Sequence, residues 1–372
     1  MDIAERPINF TRGVPAEETF PLDLLAECAA SAIRGSHAQQ VMQYGPSLGF
    51  SPLREWLANK HDVPTDHVML ANGSLQFLDF IGLGVLQRGD RVLVESPTYD
   101  RTLTLLRRHG LQIGGIPLQD DGPDLAALEA VLGQEVPKLM YVIPDFQNPS
   151  GATMSLAKRE RLVALARRYD VRLLEDAPYR PLRYRGTQLP ALFDLAPERT
   201  LYMSSFTKQI SPGVRVGYLL GEPAMLKKLA KVAEDTYITP NLVGAAAVYE
   251  FCQRGYLDNQ LKSLRTLYSE RMDVLCTTLR ELLPSAKWIE PDGGFFLSIT
   301  LAEGTTNEAL RKNAAALQLN LSDGRGFFPV PSDGERFLRL PFCALTPDEI
   351  REGVRRLAQA VQQTSNQPVG AV

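Results

Sequence analysis

The chain has 372 residues, more than the roughly 250–300 at which a single hydrophobic core stops growing, so two subdomains are expected. Its 44% hydrophobic and 22% charged residues are those of an ordinary globular protein, and a net charge of −3 supplies no basic field for nucleic acid. No apolar run approaches the ~20 residues that span a bilayer, and the opening Met1–Pro7 lacks the charged-then-apolar pattern of a signal peptide.

The cysteines Cys28, Cys252, Cys276 and Cys343 form no CxxC pair, and His37, His61, His67 and His109 show no metal-ligand spacing. Reduced buried thiols, no metal and a cytoplasmic location are the expectation.

In chain order, Ile8-Asn9-Phe10 is a short alternating run and Arg12-Gly13-Val14-Pro15 a turn. Pro21 to Ile33 carries apolar residues at helical spacing, and Tyr44-Gly45-Pro46 is a loop. A helix is expected from Ser51 through Lys60, with Ser51 as N-cap and Pro52 in the first turn. From Val68 the pattern alternates. Strands are expected at Val68–Leu70, Arg91–Glu95, Leu139–Ile143, Val171–Leu174, Leu201–Ser204 and Val216–Leu220. Helices are expected from Ser74 to about Leu86 and at Tyr99–His109, Leu125–Leu132 and Ser155–Tyr169. Near-continuous apolar strands separated by helices describe a mostly parallel sheet covered on both faces, and such sheets bind ligands at the carboxyl ends of their strands.

After Gly221 the alternation stops. Ala224–Asp235 and Asn241–Leu283 (interrupted near Gly255) read as helical; then come Gly293–Leu297, a helix at Thr306–Leu317, the run Arg336–Leu340 and a closing helix at Pro347–Gln362. The polar tail Thr364–Val372 is expected to fray. An α/β fold follows, with a large domain over residues 46–245 and a smaller α+β domain built from residues 1–45 and 246–372.

Chemistry collects where the strands end. Asn72-Gly73-Ser74 offers backbone N–H groups, a hydroxyl and a helix N-terminus, a combination that binds phosphate or simply caps a helix. Tyr99 presents a ring just beyond its strand, or packs in the core. Pro144-Asp145-Phe146-Gln147-Asn148-Pro149-Ser150-Gly151 is a dense turn around the amide of Asn148. Glu175 and Asp176 end a buried strand, where a carboxylate is costly unless paired; Tyr179 follows. Arg339, inside Phe337–Phe342, needs an anion, which a bound carboxylate or a structural acid would supply.

The stretch Thr200–Tyr218 adds Lys208, a lone cation in a tight loop before Ser211-Pro212-Gly213, with Arg215 seven positions on. That is a place for an amine that forms a Schiff base. Together these parts suit pyridoxal phosphate acting on amino acids.

At this point the sequence resembles the class I/II aminotransferases, the fold-type I pyridoxal-phosphate family, over nearly its whole length. The most specific motif is Ser204-Ser205-Phe206-Thr207-Lys208-Gln209-Ile210-Ser211-Pro212-Gly213-Val214-Arg215-Val216-Gly217. The Pro144–Gly151 turn resembles the subgroup of 2-aminoadipate, aromatic and branched-chain aminotransferases. The resemblance implies a seven-stranded, mostly parallel sheet between helices, pyridoxal 5′-phosphate as cofactor, and a homodimer with shared active sites. It implies that Lys208 holds the cofactor and shuttles a proton, and that Asp176 keeps the pyridine nitrogen protonated. Tyr179 and Asn148 would hydrogen-bond the ring oxygen, and Tyr99 would stack on the ring. Gly73, Ser74, Leu75, Ser205 and Arg215 would hold the phosphate, with Tyr44 of the partner subunit. Arg339, Asn148 and the backbone at Gly13 would bind the substrate carboxylate.

The phosphate turn departs from the family's usual two glutamines, reading Ser74-Leu75-Gln76, and the arm of several tens of residues that usually precedes the Ile8–Pro15 segment in this subgroup is almost absent here. The implied activity is a ping-pong transfer of an amino group between an L-amino acid and a 2-oxo acid. Alternatives are elimination or decarboxylation with the same residues, or a ligand-sensing protein with an aminotransferase-like domain. For the substrate's far end, Arg12 is a candidate cation for a distal carboxylate, while nearby Tyr and Phe residues suit aromatic or aliphatic side chains equally.

Overall fold

A computed structural model describes Ile3 and residues 6–365. The chain opens with β1 (Ile8–Phe10), α1 (Leu22–Arg34), α2 (Ala38–Met42) and α3 (Ser51–His61). The expected cap of α3 is displaced by one residue: Phe50 is the N-cap, without a side-chain bond, and Ser51 is already helical. The alternating block follows as β2 (Val68–Ala71), α4 (Leu75–Gly84), β3 (Arg91–Ser96), α5 (Asp100–Arg108), β4 (Gln112–Gln119), β5 (Gly122–Pro123) and α6 (Leu125–Gln134). It continues with β6 (Leu139–Val142), α7 (Leu156–Arg168), β7 (Arg172–Asp176), the short α8 (Leu192–Leu195), β8 (Thr200–Ser205) and β9 (Gly217–Leu220).

These strands form one sheet in the order β2-β9-β8-β7-β6-β3-β4-β5. Seven are four residues or longer, and the two-residue β5 adds a ribbon at the edge. Pairing is parallel from β4 through β3, β6 and β7 to β8. β9 runs antiparallel, between β8 and β2, and the short β5 pairs antiparallel with β4. β4 escapes a sequence reading because Gly114, Gly115 and Pro117 break its apolar run and it packs near the edge, half exposed. The β8–β9 connection is therefore a reversal within the sheet, and Ser211-Pro212-Gly213 supplies it.

One sheet face packs against α4, α5 and α9 (Pro223–Tyr237) through Phe77, Phe80, Leu103, Leu106, Leu226 and Leu229. Another core joins α6 and α7 to the sheet through Leu128, Leu132, Leu162, Val163 and Leu165. Asp124 caps α6 by accepting from the N–H groups of Ala126 and Ala127, and Ser155 caps α7.

Beyond the sheet lie α10 (Leu242–Gln253), the 27-residue α11 (Tyr256–Leu282), β10 (Phe296–Thr300), α12 (Asn307–Ala316), β11 (Leu319–Leu321), β12 (Phe337–Pro341) and α13 (Pro347–Ser365). The last helix keeps Thr364 and Ser365, which the expected fraying had released; the remainder of that tail lies outside the described residues. β1 pairs in parallel with β11, so the N-terminal segment joins the C-terminal elements across more than 300 residues of sequence. Such closure is invisible to local patterning. The four cysteines are buried and unpaired, and no helix among the described residues is long and apolar enough to cross a membrane.

Candidate active site at the carboxyl edge of the sheet

Because β3, β6, β7, β8 and β2 all point the same way, the segments that follow them converge on one edge. A pocket of about 660 Å³ opens there. It brings together Gly13, Gly73, Ser74, Leu75, Tyr99, Asn148, Asp176, Tyr179, Ser205, Lys208, Arg215 and Arg339 from eight separate stretches of sequence. Of the expected residues, Tyr44 alone is not in this pocket; its ring is 72% exposed on the outer surface.

Lys208 ends a single 3₁₀ turn, Phe206–Lys208, that Ser205 caps through its hydroxyl. Its Nζ donates to the carbonyl of Gly13 at 2.8 Å and sits 5.5 Å from the Phe295 ring and 5.8 Å from the Tyr179 ring. Burial pushes its ammonium down to about 8; Arg339 adds to that, while Cys343 and Asp176 oppose it. An amine so placed is a nucleophile near neutral pH.

Asp176 ends β7 with both oxygens buried. Tyr141, inside β6, donates its hydroxyl to Oδ2 at 2.5 Å, and Oδ1 has no partner among the described residues. Burial raises this carboxyl to about 7, with the Tyr141 hydrogen bond and the Lys208 charge pulling it back. A half-satisfied buried carboxylate that lines a pocket is prepared for a cationic or N–H-bearing partner. The other acid of the pair, Glu175, accepts from the N–H groups of Leu192 and Phe193 and so receives the N-terminus of α8; its role is structural.

Around Gly73 the structure forms an anion cradle. Gly73 adopts φ +102°, and a Cβ there would lie 2.6 Å from Nη2 of Arg215. Among the described residues the N–H groups of Ser74 and Leu75, at the start of α4, make no hydrogen bond. Arg215, itself left-handed at φ +52°, donates to the carbonyl of Asn72 at 2.7 Å, and Asn72 accepts from the N–H of Asn241 at 2.8 Å. Ser205 and Thr207, whose hydroxyls lie 2.8 Å apart, border the same pocket. Helix N-terminus, hydroxyls and guanidinium together suit a phosphate.

On the opposite side, Arg339 projects from β12 between the rings of Phe296 and Phe327, whose centroids are 4.9 and 4.5 Å from its guanidinium carbon. It donates to Oδ1 of Asn148 at 3.0 Å and to the carbonyl of Thr11 at 2.8 Å. It forms no ion pair among the described residues, its Nε is unpartnered, and burial lowers its pKa. A buried guanidinium without a carboxylate is the expected receptor for one.

Asn148 owes its position to its turn. The buried Asp145 takes Arg159 at 2.9 Å, Arg180 at 2.9 Å and Arg183 at 3.5 Å, and against burial Arg159 and Arg180 hold its carboxyl below the usual range. Tyr99 precedes α5, half-buried, its phenol pushed up to about 12 mainly by burial. Tyr179 is buried against Phe295 and Phe296 at 5.5 and 5.4 Å between ring centroids, its phenol also raised by burial.

Sequence reasoning missed Tyr141, Thr207, Phe296 and Phe327. Tyr141 carries no signal, being one apolar-looking residue in a buried strand. The other three lie within stretches already singled out or in a 3₁₀ turn, Gly324–Phe327, with no motif.

The profile of the aminotransferase class I and II family matches residues 6–357. Among curated relatives, an aromatic-amino-acid aminotransferase of Thermococcus litoralis is 34% identical over 96% of this chain and 88% of its own length. A 2-aminoadipate transaminase of Thermus thermophilus is 34% identical over 97% and 92%. Among solved structures, the alpha-aminoadipate aminotransferase of Thermus thermophilus, complexed with N-(5′-phosphopyridoxyl)-L-leucine, superimposes with a TM-score of 0.92 at 33% identity, over 98% of this chain and 94% of that one.

Proposed function

The chain belongs to the class I and II aminotransferases, and from that premise we propose that Lys208 is its reacting amine. The protein is a pyridoxal-phosphate-dependent aminotransferase acting between an amino acid and a 2-oxo acid. The observation that supports the assignment is the pairing, in one pocket, of a depressed amine at Lys208 with the unpartnered Oδ1 of Asp176. When bound, the cofactor supplies an electron sink for the carbon that loses its proton.

The chain's own residues do the rest. Gly73, Ser74, Leu75, Ser205 and Arg215 would hold the phosphate through N–H, hydroxyl and guanidinium donors, and Thr207, beside Ser205 in the pocket lining, would join them. Asp176 Oδ1 would accept from the ring N–H, while Tyr141 holds Oδ2. Tyr179 and Asn148 serve the ring oxygen, and Tyr99 covers the ring face. Arg339, beside Asn148 and the Thr11–Gly13 backbone, takes the substrate α-carboxylate. Nζ of Lys208, neutral above about pH 8, then accepts the proton lost by the substrate carbon and returns it. Phe296 and Phe327 bound the carboxylate site with apolar surface, in keeping with a relative named an aromatic-amino-acid aminotransferase.

The proposal extends to a homodimer in the cytoplasm, with Tyr44 completing the partner's phosphate site; the exposed Leu22, Met42 and Tyr44 support such a contact. It also divides the chain into a large domain over 46–245 and a small one over 1–45 and 246–372, which the β1–β11 pairing supports.

The test is a single half-reaction. With an amino donor and no acceptor, the wild-type holoenzyme releases one equivalent of 2-oxo acid per site, and Lys208→Ala releases none. Full turnover by Lys208→Ala, or catalytic release of ammonia by the wild type, overturns the assignment. A screen of amino donors against 2-oxoglutarate and pyruvate reads the substrate.

A further inference from the structure

The sheet order places β3 beside β6, while β3 continues to β4 on one side and β6 to β7 on the other. Ligand crevices open at such reversals of winding because the two following segments diverge. Here the backbone pairing of β3 with β6 stops at Val94 opposite Tyr141. Beyond it, the segment after β3 leads to Tyr99 and the segment after β6 leads to Asn148, and both residues line the pocket.

Where the pairing ends lies Glu95. It is 1% exposed, outside the pocket lining, and has no cation within ion-pair distance among the described residues. Its Oε2 accepts from the N–H of Ile143 at 3.0 Å, the next rung that β6 offers after the backbone ladder ends. The same oxygen accepts from Nε2 of Gln147 at 3.2 Å. Gln147 in turn donates to the carbonyl of Pro97 at 2.8 Å, on the segment that leads to Tyr99. Its Oε1 accepts from the N–H of Ser150 at 2.9 Å and the hydroxyl of Ser150 at 2.8 Å, gripping both sides of Asn148. Neither side chain reaches substrate, yet between them they tie the two segments together and clamp the turn whose amide meets Arg339.

A buried carboxyl without a cation is a costly way to fill space, and an apolar residue would pack there at less cost. A buried hydrogen-bonded network, by contrast, holds its members in a single geometry.

We propose that Glu95 and Gln147 are positioning residues that set the width of the β3–β6 crevice, and so the placement of Asn148 against Arg339 for binding the substrate carboxylate. This rests on the reading of Arg339 as the carboxylate receptor. In the proposal the pair governs carboxylate binding while leaving the phosphate cradle, built on β2, α4 and the β8–β9 loop, untouched.

The experiment compares holoenzymes of wild type, Glu95→Ala and Glu95→Gln by calorimetric titration with 3-phenylpropionate, a carboxylate that cannot react, and by steady-state kinetics. Glu95→Ala is expected to weaken 3-phenylpropionate and raise KM for the amino donor by about tenfold, with kcat changed by less than about threefold. Glu95→Gln, which still offers an acceptor to Ile143 and Gln147, is expected to stay within about threefold of wild type in both measures. Cofactor content and affinity stay unchanged in all three.

Wild-type carboxylate binding by Glu95→Ala overturns the proposal, as do equal losses in Ala and Gln variants or a parallel loss of cofactor. If Glu95→Ala does not fold, Ser150→Ala removes one grip on Gln147 and is expected to raise KM about two- to fivefold with kcat retained; an unchanged KM then refutes the pair. Failure of Arg339→Ala to weaken 3-phenylpropionate instead refutes the underlying reading.

Discussion

Replacing Tyr141 by Phe removes a single hydroxyl and tests how Asp176 is held ionised. In the structure Asp176 has two buried oxygens, one bonded to Tyr141 at 2.5 Å and one with no partner among the described residues. Burial raises the carboxyl to about 7, and the Tyr141 bond is the first influence opposing that rise. A hydrogen bond to a charged group in such a site contributes about 1.5–3 kcal/mol, and one pKa unit corresponds to about 1.36 kcal/mol. Dividing one by the other, Tyr141→Phe should lift Asp176 by about one to two units. A protonated Asp176 accepts no proton from a pyridinium, so cofactor affinity falls on the acid side of its titration.

The assay is a titration of apo-protein with pyridoxal phosphate at closely spaced pH values. The acid limb is expected near 7 in wild type and near 8–9 in Tyr141→Phe, displaced by the same one to two units. Asp176→Asn serves as control and should lack the limb. The Lys208 amine affects both proteins alike, so the difference between their profiles isolates Asp176. Superimposable limbs in wild type and Tyr141→Phe would falsify this account of Asp176.

Arg339→Lys keeps the charge but loses the planar fork and the joint contacts to Asn148 and Thr11; a loss of about 2–3 kcal/mol, or a 30- to 150-fold rise in KM for the amino donor, is expected from steady-state kinetics. Gly73→Ala places a methyl 2.6 Å from Arg215 in a backbone geometry at φ +102° that Ala adopts poorly, so equilibrium dialysis should show cofactor affinity reduced by about tenfold or more. Glu95, raised by burial to about 8, and Glu175 and Asp176, raised to about 7, hold extra protons in the folded state. Folded apo-protein therefore loses stability as pH rises from about 5 to 8, because ionisation is easier in the unfolded chain. Urea melts should show that fall, with Glu95→Gln less steep over the same window; stability that climbs with pH there would contradict the burial argument.

Much of this protein is written locally. Alternating apolar runs and helical periods announce a sheet covered on both faces, and the Ser204–Gly217 stretch marks a lysine, a turn and an arginine that belong to one loop. Gly73, Asn148, Asp176 and Arg339 stand out because each is a residue type that a buried strand end tolerates only for a reason. These are properties of a few consecutive side chains, and they survive without knowledge of neighbours.

What only the tertiary structure decided is pairing. β4, weakened by its glycines and proline, becomes a strand because β3 lies beside it. Tyr141 acquires a role because β6 sits next to β7, where its hydroxyl meets Asp176. Gly13 reaches Lys208 across 195 residues of sequence, carried there by an N-terminal segment whose β1 pairs with β11. Glu95 looks like a plain end of strand until the divergence of β3 from β6 leaves Ile143 without a backbone partner. Hydrogen bonds and burial act between groups that are close in space, and sequence distance carries almost no information about that closeness.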